Sequence, residues 1–81
     1  MRVEVQLFAA AREAAGSGRV ELELADGSTV SDALRELAQQ FPRLEPILPQ
    51  VRVAVGVEYA DGRRLLSPGC QLALIPPVSG G

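Results

Sequence analysis

The chain has 81 residues, of which 47% are hydrophobic, and a formal net charge of −2, which predicts a single small soluble domain. It contains no histidine and no lysine, so catalysis by a histidine base or through a lysine Schiff base is excluded. A single cysteine, the lack of a signal-peptide pattern and the lack of a bilayer-spanning apolar run favour the cytoplasm, and the scattered arginines offer no basic patch for nucleic acid.

The beginning of the chain predicts two strands separated by a short helix. Apolar and polar residues alternate strictly over residues 2–8, which is the pattern of a half-buried strand. A short helical stretch over residues 9–15 ends at the Gly-Ser-Gly break, and a second alternating run follows over residues 20–24. The residues predicted to face the core are Val3, Val5, Leu7, Val20, Leu22 and Leu24.

Thr29 marks the predicted start of the main helix. Asp32 follows it at the spacing of a capping box, although Asp stands where Glu or Gln is preferred. Pro42 ends the helical pattern. The apolar residues that recur at helical spacing, and are predicted to face the core, are Val30, Leu34, Leu37, Ala38 and Phe41.

The second half of the chain predicts three further strands after an irregular connection. The connection covers residues 44–50, and strands are predicted over residues 51–57, over 63–66 as a short edge strand, and over 71–75. One amphipathic helix can cover one face of such a sheet, so the layout predicts an α+β domain of two layers. The apolar residues expected to plug the connection are Ile47 and Leu48.

Residues 76–81 form a tail that is predicted to be separate from the domain over residues 1–75. Its two prolines, Pro76–Pro77, lack N–H donors and cannot continue an interior strand, so they predict a stiff, extended segment. The glycines Gly80–Gly81 carry no Cβ, so a partner protein can close tightly around them. An extended tail of this length spans about 20 Å, enough to carry a terminal carboxylate into a deep active site on another protein.

Five short segments of the sequence occur together in one protein family. They are Leu7-Phe8-Ala9, Arg12-Glu13, Thr29-Val30, Val53-Ala54-Val55 and Pro76-Pro77-Val78-Ser79-Gly80-Gly81. Through them the chain resembles the small, sulfur-carrying subunits of molybdopterin synthase, a ubiquitin-like β-grasp family. Two positions depart from the family pattern: Gly56 stands where Asn is usual, and Cys70–Gln71 stand where the family has an acidic pair.

The resemblance implies a mixed sheet with one main helix on one face, and a reaction at Gly81. In this family an ATP-dependent activating enzyme adenylates the terminal carboxylate, and a sulfur donor then displaces AMP to leave a thiocarboxylate. The large subunit of the synthase uses that sulfur to build the dithiolene of molybdopterin from a cyclic pyranopterin precursor. The resemblance therefore implies a carrier that binds no cofactor or metal and is not catalytic alone.

A partner-binding surface follows from strand parity and from the resemblance. If Val3, Val5 and Leu7 face the helix, Phe8 points to the opposite face of the sheet, and Ile75 does so on the last strand. The first and last strands of a β-grasp are parallel neighbours, so these two residues should lie close together. The full set that the resemblance assigns to partner contacts is Phe8, Arg12, Tyr59, Ile75, Pro76, Pro77, Val78, Ser79 and Gly80.

Three other functions remain open from the sequence. The chain could be a ubiquitin-like modifier joined to protein lysines through Gly81, a sulfur carrier for thiamine or tRNA thiolation, or a binding module with an incidental tail. Cys70 also allows a persulfide-carrier hypothesis, against which we set the ordinary role of a small buried residue.

Overall fold

Five strands and two α-helices make up residues 1–77, the part of the chain that the computed structural model describes. No helix within this part combines the length and the apolar character that crossing a bilayer requires. The strands are β1 (Arg2–Leu7), β2 (Arg19–Glu23), β3 (Arg52–Val55), β4 (Glu58–Ala60) and β5 (Gln71–Ile75). The helices are α1 (Ala9–Ala15), α2 (Val30–Gln40) and two short 3-10 helices, Pro42–Leu44 and Leu48–Gln50.

The strands form one mixed sheet in the order β2-β1-β5-β3-β4. The first and last strands are parallel neighbours, with Val5 opposite Leu72 and Leu7 opposite Leu74. The β1–β2, β3–β5 and β3–β4 pairs are antiparallel. The predicted α+β class, a ubiquitin-like β-grasp with one main helix on one face of a mixed sheet, is confirmed.

The core lies between α2 and one face of the sheet, as strict strand alternation requires. On the helix, however, the fully buried residues are Val30, Ala33 and Leu37. Ala33 was not predicted, although it follows Val30 by three residues and precedes Leu37 by four, a spacing that places it on the same face of the helix. The predicted stripe residues that are only partly buried are Leu34, Ala38 and Phe41.

A capping box fixes the start of α2. The Thr29 backbone N–H donates to the Asp32 carboxylate at 2.9 Å, and the Asp32 backbone N–H donates to Thr29 Oγ1 at 3.3 Å. Asp therefore serves at the position where Glu or Gln is usual. The hydrogen bonds from the backbone and hydroxyl of Thr29, and the nearby Arg35 guanidinium, hold the pKa of Asp32 below its ordinary value.

We expect Asp32→Ala to destabilise the domain at neutral pH and to lose that effect in acid. A carboxylate whose pKa is lowered by folding stabilises the fold above its unfolded pKa, about 3.9, and loses this contribution as the pH falls through the folded value. Melting curves from pH 7 to pH 2 should show the difference between variant and parent shrinking below about pH 4. Glu45→Ala, which removes an exposed carboxylate away from the cap, is the control; a difference for Asp32→Ala that is constant with pH would contradict the assignment.

The third and fourth strands differ from the prediction. The alternation of valines predicted one strand over residues 51–57, but β3 ends at Val55 because Gly56 turns the chain with φ 62°. Val57 is fully exposed at the tip of this hairpin, and β4 returns beside β3 with Tyr59 opposite Ala54. A positive φ is a backbone property that an apolar alternation cannot reveal.

The edge strand predicted over residues 63–66 is absent from the described sheet. Leu65 forms only an isolated bridge with Thr29. The segment instead caps α2, because the Arg64 carbonyl accepts from the Val30 N–H and the Gly62 carbonyl accepts from the Ser31 N–H, both at 3.0 Å. These N–H groups have no partner within their own helix, so the loop satisfies them.

The predicted apolar plugs of the connection, Ile47 and Leu48, do pack against the core, but the fully buried residue of this segment is Leu44, which was not predicted. Leu44 is 0% exposed, whereas the other two are only partly buried. The reason is the 3-10 turn Pro42–Leu44, which follows α2 directly, packs against α1 and α2, and turns Leu44 inward.

Candidate functional site

The base of the tail is held at the centre of the sheet. β5 lies between β1 and β3, and both ladders reach its last residues: Leu74 is opposite Leu7 on one side, and Ile75 is opposite Arg52 on the other. The strand ends at Ile75, and the exposed Pro76–Pro77 follow, since prolines cannot donate to a ladder. The tail therefore leaves the domain from a firmly anchored strand.

The remainder of the predicted reactive tail lies outside the described residues. This applies to Gly81, the predicted reacting residue, and to Val78, Ser79 and Gly80. The division into a domain over residues 1–75 and a tail over residues 76–81 stays a prediction for the same reason.

The face of the sheet opposite α2 is uncovered, and we call it the open face. Next to the tail base it carries an apolar patch, formed by Phe8, Ala54, Tyr59, Ala73 and Ile75. Phe8 reaches this face because its extended backbone (φ −130°, ψ 156°) follows the core-facing Leu7. Phe8 is 45% exposed and Tyr59 is 58% exposed, so these two rings are presented to solvent, whereas Ala54 is buried and Ala73 and Ile75 are partly buried.

The open face also carries a charged half, which is internally compensated. On β1 and β2 the Arg19 guanidinium lies 2.7 Å from a Glu4 carboxylate oxygen, and Arg2 Nε lies 3.2 Å from Glu23. Such exposed pairs contribute little to stability, but they leave little free charge on this part of the surface.

Within residues 1–77, no group of His, Cys, Asp or Glu side chains is arranged to hold a metal ion.

The predicted partner residues fall into two places. Phe8, Tyr59 and Ile75 share the open face, and the register of β1 with β5 puts the first and last of them at the same end of neighbouring strands. Arg12 is not part of that face. It lies on α1, beyond the end of β1, and its side chain passes over Gly18. A Cβ added to Gly18 would lie 3.4 Å from the Nε atom of Arg12.

Arg52 also lies on the open face, next to the apolar patch, and the sequence prediction missed it. It lies on the open face opposite Ile75, and its guanidinium carbon is 4.1 Å from the centre of the Tyr59 ring. The signal was present in the alternation of β3, because Arg52 precedes the core-facing Val53 and so points to the other face. The contact between Arg52 and Tyr59 could not be inferred, because the sequence prediction assigned Tyr59 to no strand.

Comparison with known proteins decides the family. The model of the ThiS family matches residues 5–81, which is nearly the whole chain. The chain belongs to the ThiS family. A curated relative of this ThiS-family chain, "Molybdopterin synthase sulfur carrier subunit" from Arabidopsis thaliana, is 38% identical over 81 residues, covering 100% of the chain and 84% of the plant protein.

Solved structures give the same fold for this ThiS-family chain. The crystal structure of SAMP1 from Haloferax volcanii superposes with a TM-score of 0.92 at 35% identity, with 100% of each chain covered. A subunit in the protein–protein complex of subunits 1 and 2 of the molybdopterin-converting factor from Helicobacter pylori superposes with a TM-score of 0.71 at 26% identity, again with 100% of each chain covered.

Proposed function

We propose that this ThiS-family chain is the sulfur carrier subunit of a molybdopterin synthase. The observation that carries the proposal is the match, over the whole chain, to curated relatives of that name. The anchored tail base and the apolar patch beside it fit the task, because a carrier must dock on its partners and extend its terminus into them. The partner for sulfur donation is the large subunit of the synthase, and the Helicobacter pylori complex is a pairing of this kind.

The reacting group is the carboxylate of Gly81. A terminal carboxylate has a pKa near 3.5, so it is ionised at neutral pH and resists nucleophilic attack. An ATP-dependent activating enzyme converts it to an acyl-adenylate with release of pyrophosphate, and a sulfur donor then expels AMP to leave a thiocarboxylate. The thiocarboxylate sulfur bonds to a cyclic pyranopterin precursor, and water then cleaves the bond between that sulfur and the Gly81 carbonyl carbon, which returns the carboxylate. The two sulfurs of each dithiolene require two loaded carriers.

The acids and bases of sulfur insertion are supplied by the large subunit. This chain has no histidine or lysine, the two residue types best suited to proton transfer or imine chemistry near neutral pH. Its own contribution is to position the tail and to bind. ATP is a substrate of the activating enzyme, and no cofactor is assigned to the carrier.

Intact-mass measurement tests the proposal. After incubation with ATP, the cognate activating enzyme and a sulfur source, the mass should rise by the difference between sulfur and oxygen, and the change should map to the C-terminal peptide. Cys70→Ala is the matched control: the thiol is half-buried and should be dispensable, so the variant should load like the parent. Loss of loading in a folded Cys70→Ala protein would favour the persulfide role, and an unchanged parent mass with an active activating enzyme would contradict the carrier proposal.

Phe8→Ala should weaken binding to the large subunit more than it destabilises the free domain. The ring is 45% exposed, so it loses much of its water contact only on association, which is worth about 1.5 kcal/mol or roughly a tenfold change in Kd. Titration calorimetry and melting curves on the same preparations separate the two effects. Leu65→Ala removes an exposed apolar side chain outside the patch and should leave Kd unchanged; a Phe8→Ala protein that melts early yet binds normally would place Phe8 in the core.

A second candidate function is protein modification through Gly81. It is favoured by the 35% identity and the TM-score of 0.92 to SAMP1, a protein whose name denotes a small archaeal modifier. Both functions share activation of the terminal carboxylate and differ in its fate. Isopeptide-linked conjugates that form in cell extract and require Gly81 would support modification, whereas sulfur donation to the large subunit without conjugates would support the carrier alone.

A further inference from the structure

The Arg52 side chain is held in place by the Tyr59 ring at the edge of the apolar patch. Its guanidinium carbon lies 4.1 Å from the ring centre, and both residues are exposed on the open face. The ring covers one side of the guanidinium, so the N–H groups that are directed away from the ring stay available to donate. An arginine fixed in this way has lost part of its side-chain freedom before any partner arrives.

The charge of Arg52 is uncompensated within the described part of the chain. The other arginines of the open face, Arg2 and Arg19 on β1 and β2, are each paired with glutamates. Arg52 has no carboxylate within 4.0 Å among residues 1–77; the same holds for Arg12 and Arg43, which do not lie beside the apolar patch, whereas the other arginines each have one. Those paired arginines are Arg2, Arg19, Arg35, Arg63 and Arg64.

We propose that Arg52 binds a carboxylate of the large subunit at the edge of the apolar patch, and that Tyr59 orients its guanidinium for this contact. The inference rests on the proposed function, since it assigns a contact within the same docking surface. Two observations favour an acidic side chain as the occupant: the positive charge is unpaired, and Arg52 lies directly opposite Ile75, next to apolar surface that association would bury. Removal of water from that surface strengthens an adjacent arginine–carboxylate hydrogen bond, which is bidentate in its best geometry.

The test is the salt dependence of binding to the cognate large subunit, measured by titration with the full-length chain. Arg52→Gln should raise Kd about tenfold at low ionic strength and should reduce the slope of log Kd against log salt concentration. Arg52→Glu should reverse that slope, since repulsion between carboxylates is relieved by salt. Tyr59→Phe keeps a ring beneath the guanidinium and should bind more tightly than Tyr59→Leu.

The matched control is Arg63→Gln. Arg63 is an exposed arginine in the loop after β4, already 3.7 Å from Asp61, so its loss should leave Kd and the salt slope as in the parent. Equal Kd values for Arg52→Gln and Arg63→Gln would overturn the inference, and so would weaker binding by Arg52→Gln with an unchanged salt slope. A parent chain that does not bind the large subunit at all would instead contradict the proposed function.

Discussion

Removal of Gly81 is expected to abolish sulfur loading and to leave the fold intact. The carboxylate of Gly81 is the proposed site of adenylation, and the variant would present Gly80 one position short of it. The described core residues all lie at or before Leu74, so the free energy of unfolding should change by less than about 0.5 kcal/mol. Intact mass after the loading reaction and a melting curve of the same sample measure the two effects.

The control for this deletion is Val57→Ala at the tip of the β3–β4 hairpin. This position is fully exposed and lies at the end of β3 away from Arg52 and the tail base, so the variant should load like the parent. Loading that survives loss of Gly81 would contradict the proposed reaction site. A large fall in Tm would show instead that the tail contributes to the fold.

Leu44→Ala is expected to be among the most damaging single substitutions in the chain. The side chain is 0% exposed, and truncation of a buried leucine costs about 2–5 kcal/mol because a cavity remains. For a domain of this size that corresponds to a loss in Tm on the order of 10 °C or more. Thermal and urea unfolding should agree on the loss.

Leu65→Ala provides the matched comparison, because it makes the same chemical change at a side chain that is 65% exposed. Its effect on unfolding should stay within about 0.5 kcal/mol. Similar stability losses for the two variants would mean that the connection after α2 does not close the core as the structure indicates.

Alternation predicted those parts of the fold in which burial decides the conformation. The strands β1 and β5 each have one buried face and one face that is exposed or partly exposed, so the alternation of apolar and polar residues in the sequence predicts them. The alternation could not predict the backbone turn after β3. Val57 continues the apolar pattern, but the chain already turns at Gly56, which has a positive φ. The inward turn of Leu44 likewise depends on how a 3-10 segment packs against two helices.

In the candidate site, too, the sequence predicted what depends on burial and missed what depends on backbone geometry. Parity placed Phe8 and Ile75 on the open face, because each is one residue away from a core-facing leucine. The pairing of Arg52 with Tyr59 could not be anticipated, since it depends on a hairpin register that the alternation hid. The choice of Gly80 and Gly81 rests on their chemistry alone and stays a prediction, because both lie outside the described residues.

The position of β5 also governs when the domain can form during synthesis. This strand follows all others in the chain, yet it lies in the middle of the sheet, with Glu4 opposite Gln71. Until it is made, the β1–β2 and β3–β4 pairs have no common neighbour, and isolated two-stranded pairs are marginal in water. Folding therefore waits for contacts between distant parts of the chain, which makes it slower than the formation of local structure. A chain cut short before β5 is therefore expected to leave the open face, and with it the proposed docking surface, unformed.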